Sequence, residues 1–346
     1  MFDTLVGNER VKELLRGMLR SGQIPGALLF AGPEGVGKKQ FALQFAKAAV
    51  CRNPQEGEAC DACPACERAA TVIPLKESDK DAKKKLTRTA HPDVTFVIGM
   101  GRNILVDQIR ELEGEAQFRP LEGRARFFLI DDADKMNEQA SNALLKTLEE
   151  PAPTTHIVLI TERPAGLLST IRSRSQLVRF SPIERDAVKA HLSASGGAAA
   201  KDLDLLSGIA AGSIGRATSL ELEPYRARRE LMLDVLTAAS IAPSRARLLR
   251  LAEELNDAKR KDDFELYLDV LEALAFDVVR LTVDPLNGGI ANDDIRSQLS
   301  TIAQRVGAGP ASEWIRQIEQ VRGQLKVNIN RKVASDALFL GMMVAA

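Results

Sequence analysis

The amino-acid sequence predicts an α/β fold, a parallel sheet with helices on both faces, followed by a region that is entirely helical. Short apolar strands and amphipathic helices alternate through residues 1–181. The segment FFLI at 127–130 is apolar without alternation, which is typical of a central strand buried on both faces. Beyond residue 182, apolar residues recur at helical spacing. With 346 residues the chain is longer than one core usually serves, so we expect two or three domains.

The α/β domain is expected to span residues 1–181. It begins with a lead-in at 2–8 and a helix that carries on one face Val11, Leu14, Leu15, Met18 and Leu19. The further elements expected in chain order are a strand at 27–31, a helix running to residue 51, strands at 94–98, 126–130 and 156–161 alternating with helices at 104–117 and 137–149, a short segment at 167–174 and an edge strand at 176–180.

The helical region divides at Glu223-Pro224, where proline interrupts the pattern. We expect a small helical domain at 182–222 and a larger one at 223–346. Apolar and aromatic residues recur at helical spacing in the larger domain. They are Phe264, Tyr267, Leu271, Leu274 and Val278, and then Trp314, Ile318, Val321 and Leu325.

A phosphate-binding loop is predicted between the strand at 27–31 and the helix that follows it, where the sequence reads GPEGVGK. Its glycines Gly32, Gly35 and Gly37 let backbone N–H groups turn towards phosphate oxygens, and Lys38 supplies a positive charge. A working loop of this kind continues with Ser or Thr, whose hydroxyl holds Mg²⁺. Here the next residue is Lys39, whose ammonium group cannot ligate magnesium. We therefore expect a nucleotide site in which ATP binding is weak or absent.

Acidic and polar residues follow the later strands. Asp131 and Asp132 end the strand at 126–130, where a nucleotide-hydrolysing fold places the acid that holds magnesium and the acid that polarises water. Asp132 is one methylene shorter than the usual Glu. A second interpretation is that these acids cap the following helix, which suits Asp134. Thr161 ends the next strand, where it can sense a terminal phosphate or serve only as a good strand residue.

Two arginines are candidates for contact with phosphate. Arg174 lies near the edge of the predicted sheet and can act as an arginine finger on a neighbouring subunit's ATP, although exposed arginines at helix ends are common. Arg216 follows Gly212-Ser213 at the start of a helix and can return towards the nucleotide. The alternative there is an ordinary helix start capped by Ser213.

Four cysteines form the strongest metal signal in the sequence. Cys51, Cys60, Cys63 and Cys66 are all the cysteines of the chain, and two-residue gaps let neighbouring sulfurs face one centre. Four thiolates suit a tetrahedral structural zinc within an inserted module at 51–66, since no position stays open for substrate. An iron–sulfur cluster is the alternative, although its usual cysteine spacing differs.

Composition limits the classes of function. Lys+Arg and Asp+Glu number 47 each, a balance that argues against strong nucleic-acid binding by this chain alone. No apolar run reaches the length of a membrane span, and the polar start of the sequence is unlike a signal peptide, so we expect a cytoplasmic protein without membrane contact. The charged segment at 76–88 is interpreted as a surface loop; a basic patch that contacts DNA is the more specific alternative.

Taken together, the motifs resemble those of the clamp-loader subunits of bacterial DNA polymerase III, which are AAA+ proteins, and the chain is most similar to the delta-prime type. The motifs that carry the resemblance are, in chain order, FDTLVG at 2–7, the phosphate loop, the four cysteines, HPD at 91–93, DDAD at 131–134, ALLKTLEEP at 143–151, SRS at 173–175 and GSIGR at 212–216. The ordered set is specific, whereas no single motif is.

The resemblance implies an AAA+ domain with the zinc module, a helical lid and a helical collar that joins a hetero-pentameric ring with gamma/tau and delta subunits. The ring loads the sliding clamp onto primed DNA, and the chain would be a largely non-hydrolysing component of the polymerase holoenzyme. Arg174 would face the ATP of a neighbouring subunit; Ser175 stands where the family motif has Cys. Two alternatives remain: an ATP-hydrolysing motor of the gamma/tau type in the same ring, and a self-contained nucleic-acid-binding zinc protein.

Overall fold

The structure of the protein, a computed structural model, describes residues 1–75, 84–99, 103–256, 263–286, 289–325 and 329–343. It divides into two compact units, one formed by residues 1–188 with 212–216 and the other by residues 189–211 with 217–346. The predicted division of the helical region into two domains is not tested by this partition and stays a prediction. Residues 76–83 of the predicted charged loop at 76–88 lie outside the described residues.

The first unit contains the predicted sheet. Its strands are β1 (Ala27–Ala31), β2 (Thr87–Arg88), β3 (Val94–Val97), β4 (Arg126–Ile130), β5 (Thr155–Thr161) and β6 (Gln176–Arg179). Its helices are α1 (Glu9–Ser21), α2 (Lys38–Val50), α3 (Pro64–Ala70), α4 (Val106–Ala116), α5 (Glu138–Glu149), α6 (Ser169–Ser173) and the start of α7 (Arg185–Ser195). Among the described residues the strand order is β2-β3-β4-β5-β1-β6, and every pairing is parallel except that of β2 with β3. The predicted fold class is confirmed.

Strand β4 explains why this part of the sequence is apolar without alternation. Phe127 and Leu129 pack in a core on one face of the sheet with residues of α1 and α2. Phe128 and Ile130 pack in a second core on the other face with residues of α4, α5 and α6. Alternate side chains of a strand point to opposite faces, so a strand covered on both sides needs apolar residues at every position.

Asp93 joins the start of β3 to the loop before β4. Its carboxylate is fully buried and accepts hydrogen bonds from the backbone N–H groups of Leu121, Glu122 and Gly123 at 2.7–2.8 Å. The guanidinium of Arg126, also buried, lies 3.3 Å from the same carboxylate. Burial by itself would raise the pKa of Asp93, but these hydrogen bonds hold the pKa below its ordinary value of 3.8.

Asp93→Asn is therefore expected to destabilise the protein by about 3 kcal/mol, because it leaves the Arg126 charge uncompensated and turns an amide donor towards backbone donors. Urea unfolding of the full chain measures the loss. A carboxylate with a depressed pKa stabilises the fold above its ordinary pKa and loses this contribution as the pH falls through the folded-state value. The difference between wild type and variant should thus shrink in acid, while the exposed Asp132→Asn control should change stability by less than about 1 kcal/mol at any pH.

The second unit is helical. Its helices are the remainder of α7, α8 (Leu203–Ile209), α9 from Ala217, within Ile214–Ser219, α10 (Leu222–Ser240), α11 (Arg245–Leu255), α12 (Phe264–Val283), α13 (Arg296–Val306), α14 (Ala308–Leu325) and α15 (Arg331–Gly341). Trp314 on α14 is buried and donates its indole N–H to the carbonyl of Met342 at 2.8 Å. The helical spacing noted for 264–278 produces the buried face of α12. No helix in the described part of the chain is both long and apolar enough to cross a membrane.

Candidate functional site

The sheet order brings the predicted phosphate loop and the predicted acids to one edge. The loop at 32–37 leaves the carboxyl end of β1, Asp131 follows β4, and Thr161 ends β5, which lies between them. Parallel strands place their carboxyl ends at the same edge, where open α/β sheets bind ligands. The sequence-predicted residues of the nucleotide site are thus neighbours in space.

The loop has the backbone shape of a phosphate loop. Gly35 and Gly37 adopt the left-handed region, with φ of 70° and 94°, and α2 begins directly at Lys38. The ammonium of Lys38 is buried and donates to the loop's own carbonyls, those of Gly32 at 2.8 Å and Pro33 at 2.6 Å. Burial lowers the pKa of Lys38, and the nearby carboxylates of Glu162 and Asp131 oppose that shift.

Lys39 forms an ion pair with Asp131, the carboxylate that a magnesium ion would need. Its Nζ lies 2.9 Å from Oδ2 of Asp131 and 5.3 Å from the centre of the Phe96 ring. The residue that replaces the magnesium-binding hydroxyl thus also pairs with the acid that follows β4. Mg²⁺ prefers oxygen ligands and demands near-octahedral geometry, so these residues do not fit a magnesium ion.

The acids after β4 are used in local contacts. Asp132 has a left-handed backbone, with φ of 51°, and its exposed carboxylate pairs with Lys135 at 2.7 Å. Helix α5 is capped by Asn137, whose Oδ1 accepts from the N–H of Ala140 at 2.8 Å. The interpretation of Asp134 as the cap is therefore wrong, because three further residues separate it from the first turn of the helix.

Asp134 instead binds Thr161. The Thr161 hydroxyl donates to Asp134 Oδ1 at 2.6 Å and accepts from the N–H of Arg163 at 2.9 Å, and the side chain of Thr161 is buried. The Arg163 guanidinium closes the group with an ion pair of 2.9 Å to Asp134. Both hydrogen-bonding roles of the Thr161 hydroxyl are thus fulfilled within the protein. Its role in sensing a phosphate stays a prediction.

The start of α9 lies on the phosphate loop. The N–H of Gly215 donates to the carbonyl of Gly35 at 3.0 Å, and a Cβ placed on Gly35 would lie 2.0 Å from Oγ of Ser213. Ser213 Oγ accepts from the N–H of Arg216 at 3.0 Å, so Ser213 caps this helix as the alternative interpretation predicts. The backbone of Arg216 is therefore beside the loop, and its action on a phosphate stays a prediction.

Arg174 lies away from this edge, directly after α6. The residue is exposed; its Nη2 lies 2.9 Å from Oε1 of Glu149, and its Nη1 donates to the carbonyl of Thr170 at 3.2 Å. Glu149 is the last residue of α5. Sequence reasoning missed this ion pair, although Glu149 belongs to one of the motifs that carry the family resemblance. The action of Arg174 on a neighbouring subunit's ATP stays a prediction.

The four cysteines form a candidate metal centre. Sulfur–sulfur distances are 3.4 Å for Cys51–Cys60, 3.5 Å for Cys63–Cys66, 3.9 Å for Cys51–Cys63 and 4.0 Å for Cys60–Cys66. A tetrahedral zinc with Zn–S bonds of about 2.3 Å requires sulfurs about 3.8 Å apart. All four lie within 4.8 Å of one another, which fits one ion and leaves no room for a cluster of several iron atoms. Cys51, Cys60, Cys63 and Cys66 would hold a structural zinc as four thiolates.

The metal centre is attached to the first two helices. Glu58 pairs with Arg16 of α1 at 2.6 Å and accepts from the N–H of Phe2 at 2.7 Å. Asp61, between the second and third cysteines, pairs with Lys47 of α2 at 2.6 Å. Because α2 begins at the phosphate loop and ends at Val50, directly before Cys51, the module fixes the far end of the helix on which that loop depends.

Comparison with known proteins tests the resemblance. Residues 7–184 match the family model described as DNA polymerase III, delta subunit. The delta' subunit of Pseudomonas aeruginosa is 30% identical over 327 residues, covering 91% of this chain and 90% of the relative. The delta' subunit of Bacillus subtilis is 36% identical over 185 residues, covering 53% of this chain and half of the relative.

A motor-type subunit and a solved structure give partial or distant matches. The tau subunit of Bacillus subtilis is 33% identical over 187 residues, which cover 54% of this chain and 30% of the relative. A gamma subunit-related protein of DNA polymerase III from Thermotoga maritima aligns over 96% of this chain and 98% of its own, with a TM-score of 0.45 and 17% identity. The 30% identity to the delta' subunit of Pseudomonas aeruginosa extends over nine tenths of both chains. The chain belongs to the family of DNA polymerase III delta' subunits.

Proposed function

We propose that this chain is a non-hydrolysing subunit of the DNA polymerase III clamp loader. It assembles with gamma/tau and delta subunits in a five-membered ring that places the sliding clamp on primed DNA. The observation that carries the proposal is the ion pair of 2.9 Å between Lys39 and Asp131, two positions that a hydrolysing subunit would use to bind magnesium. Without that ion, the charge that develops on a transferring phosphoryl group has no metal to stabilise it.

The contribution of this chain to ATP chemistry is Arg174, acting on the site of a neighbouring subunit. A guanidinium is permanently charged and presents its donors in a planar fork that matches phosphate oxygens. Arg174 is exposed and lies at the end of α6, away from the chain's own phosphate loop. These features support a finger supplied in trans.

A bound zinc is the structural cofactor of this proposal. Four cysteine ligands complete a tetrahedral site, so the metal binds no substrate. Nucleotide is bound weakly or not at all, because Lys38 is engaged by the carbonyls of Gly32 and Pro33 and the start of α9 contacts Gly35.

An ATP-hydrolysing motor of the gamma/tau type is the second candidate. The 33% identity to the tau subunit of Bacillus subtilis and the intact Lys38 of the phosphate loop favour it. In that case Mg²⁺ would have to displace Lys39 from Asp131.

Turnover of Mg-ATP by the purified chain separates the two candidates. The rate is expected to equal that of the Lys38→Ala variant, since a chain without a magnesium site has no phosphate chemistry for Lys38 to support. Mixing the chain with its gamma/tau and delta partners should then yield a single ring and raise DNA-stimulated turnover above that of the partners alone.

Two results contradict the proposal. Turnover by the isolated chain that disappears in Lys38→Ala would establish the motor. A chain that enters no complex with its partners, measured by the mass of the assembly, would remove the loader function itself.

A further inference from the structure

We propose that Glu149 is a positioning residue that holds the guanidinium of Arg174 for a neighbouring subunit's ATP. The inference rests on the proposed function and adds to it the carboxylate that fixes the finger. Its starting observation is the ion pair of 2.9 Å between Glu149 and Arg174, combined with the hydrogen bond of 3.2 Å from Arg174 to the carbonyl of Thr170.

The two contacts hold the guanidinium at two of its nitrogens. Nη2 faces Glu149 and Nη1 donates to the Thr170 carbonyl. A guanidinium carries five N–H donors in a rigid plane, so the donors that these contacts do not use remain for phosphate oxygens. An arginine side chain with several rotatable bonds is thereby confined to few orientations, with its charge retained.

Both partners of Arg174 belong to elements that are fixed by a core. Glu149 ends α5, and Leu144 and Leu148 of this helix are buried in the core on one face of the sheet. Thr170 lies in α6, whose Ile171 is buried in the same core. The carboxylate and the carbonyl are therefore two fixed points, and the guanidinium is bound to both.

The ion pair contributes little to folding. The side chain of Arg174 is 37% exposed and that of Glu149 is 51% exposed, so water and salt screen the pair. Its effect on the position of the reacting charge is larger, because a displacement of about 1 Å in a catalytic group can cost about 100-fold in rate. Glu149 should therefore affect turnover without affecting stability.

The test uses a reconstituted loader in which only the ATP site facing this subunit is active. Glu149→Ala is expected to lower kcat of DNA-stimulated turnover about 10-fold, with KM for ATP unchanged within about twofold. Glu149→Gln keeps an oxygen that accepts from Nη2 and should retain most of the activity. Glu150→Ala, which removes the same charge from the next residue in the chain, should leave kcat unchanged.

A double variant shows whether Glu149 acts through Arg174. In an Arg174→Ala background, Glu149→Ala is expected to cause no further loss, because the group that it positions is gone. The thermal midpoint of the Glu149→Ala chain should stay within about 3 °C of wild type, which excludes a loss caused by unfolding.

Three outcomes would overturn the role of Glu149. They are normal turnover in Glu149→Ala, raised turnover, which would mean that the carboxylate competes with phosphate for the finger, and an equal loss in the presence and absence of Arg174. If turnover is lost in the Arg174→Ala loader but normal in the Glu149→Ala loader, this inference is wrong and the proposed function stands. Normal turnover in the Arg174→Ala loader would contradict the arginine finger, on which both this inference and the proposed function depend.

Discussion

Removal of zinc is expected to unfold the four-cysteine module and to release its contacts with α1 and α2. Metal analysis should find about one zinc per chain before treatment. A structural zinc with four thiolates contributes roughly 10–16 kcal/mol of apparent binding free energy at neutral pH, and this energy is folding energy for the segment that provides the ligands. Chelation should therefore make residues 51–66 sensitive to limited proteolysis.

The size of this effect follows from the side chains around the cysteines. The core of the module consists of small residues, namely Ala48, Ala59 and Ala65 with Cys51, Cys63 and Cys66. Burying alanines removes little apolar area from water, and a segment of this length cannot form a stable core on that basis. The remaining attachments are ion pairs such as Lys47–Asp61 and Arg16–Glu58, each of which is worth little without the turn that presents it.

Adding zinc back is the control for chelation, and it should restore resistance to proteolysis. Cys51→Ser should reproduce the chelated state, because a hydroxyl is a poor replacement for a thiolate in a four-sulfur site. Iron in the purified protein, or full resistance to proteolysis with no metal bound, would contradict the assignment.

The strands of this fold could be predicted where burial alone determines the sequence. Strand β4 is apolar from Phe127 to Ile130 because both faces are covered there, and its predicted and observed bounds agree at 126–130. Strand β2 was not predicted, because two residues in an antiparallel pair with β3 carry no periodicity. The capping residue of α5 was also missed, since several residues of the DDADKMN segment are good caps and only the backbone geometry selects Asn137.

The candidate site shows a similar limit. The replacement of a hydroxyl by Lys39 was visible in the sequence, but its partner Asp131 depends on the order of strands in the sheet. Likewise, Thr161 was predicted at the edge of the sheet, whereas its hydrogen bond to Asp134 requires the turn after β4. Spacing within one motif predicts which chemical groups are present. The pairing of groups from distant motifs is decided by tertiary structure.

Arg174→Ala, made in this subunit only, is expected to reduce ATP turnover at the facing site of the loader by about 10³-fold or more. In the proposed role the guanidinium stabilises negative charge that develops on the transferring phosphoryl group, and water is a poor substitute for it in a closed site. The measurement is DNA-stimulated turnover of a reconstituted loader in which only that site is active. Arg174→Lys keeps the charge without the planar fork and should recover only part of the rate.

Arg172→Ala is the matched control for this prediction. Arg172 is an exposed arginine of α6, two residues before Arg174, so its removal changes the net charge of the surface by the same amount. If the two arginines acted only by attracting a partner electrostatically, both variants would lose turnover by a similar factor, and added salt would reduce that loss. A finger makes a specific contact in the transition state, so Arg172→Ala should assemble and turn over normally while Arg174→Ala assembles and fails in kcat. Unchanged turnover in Arg174→Ala would exclude the finger, because the facing ATP site would then work without this guanidinium.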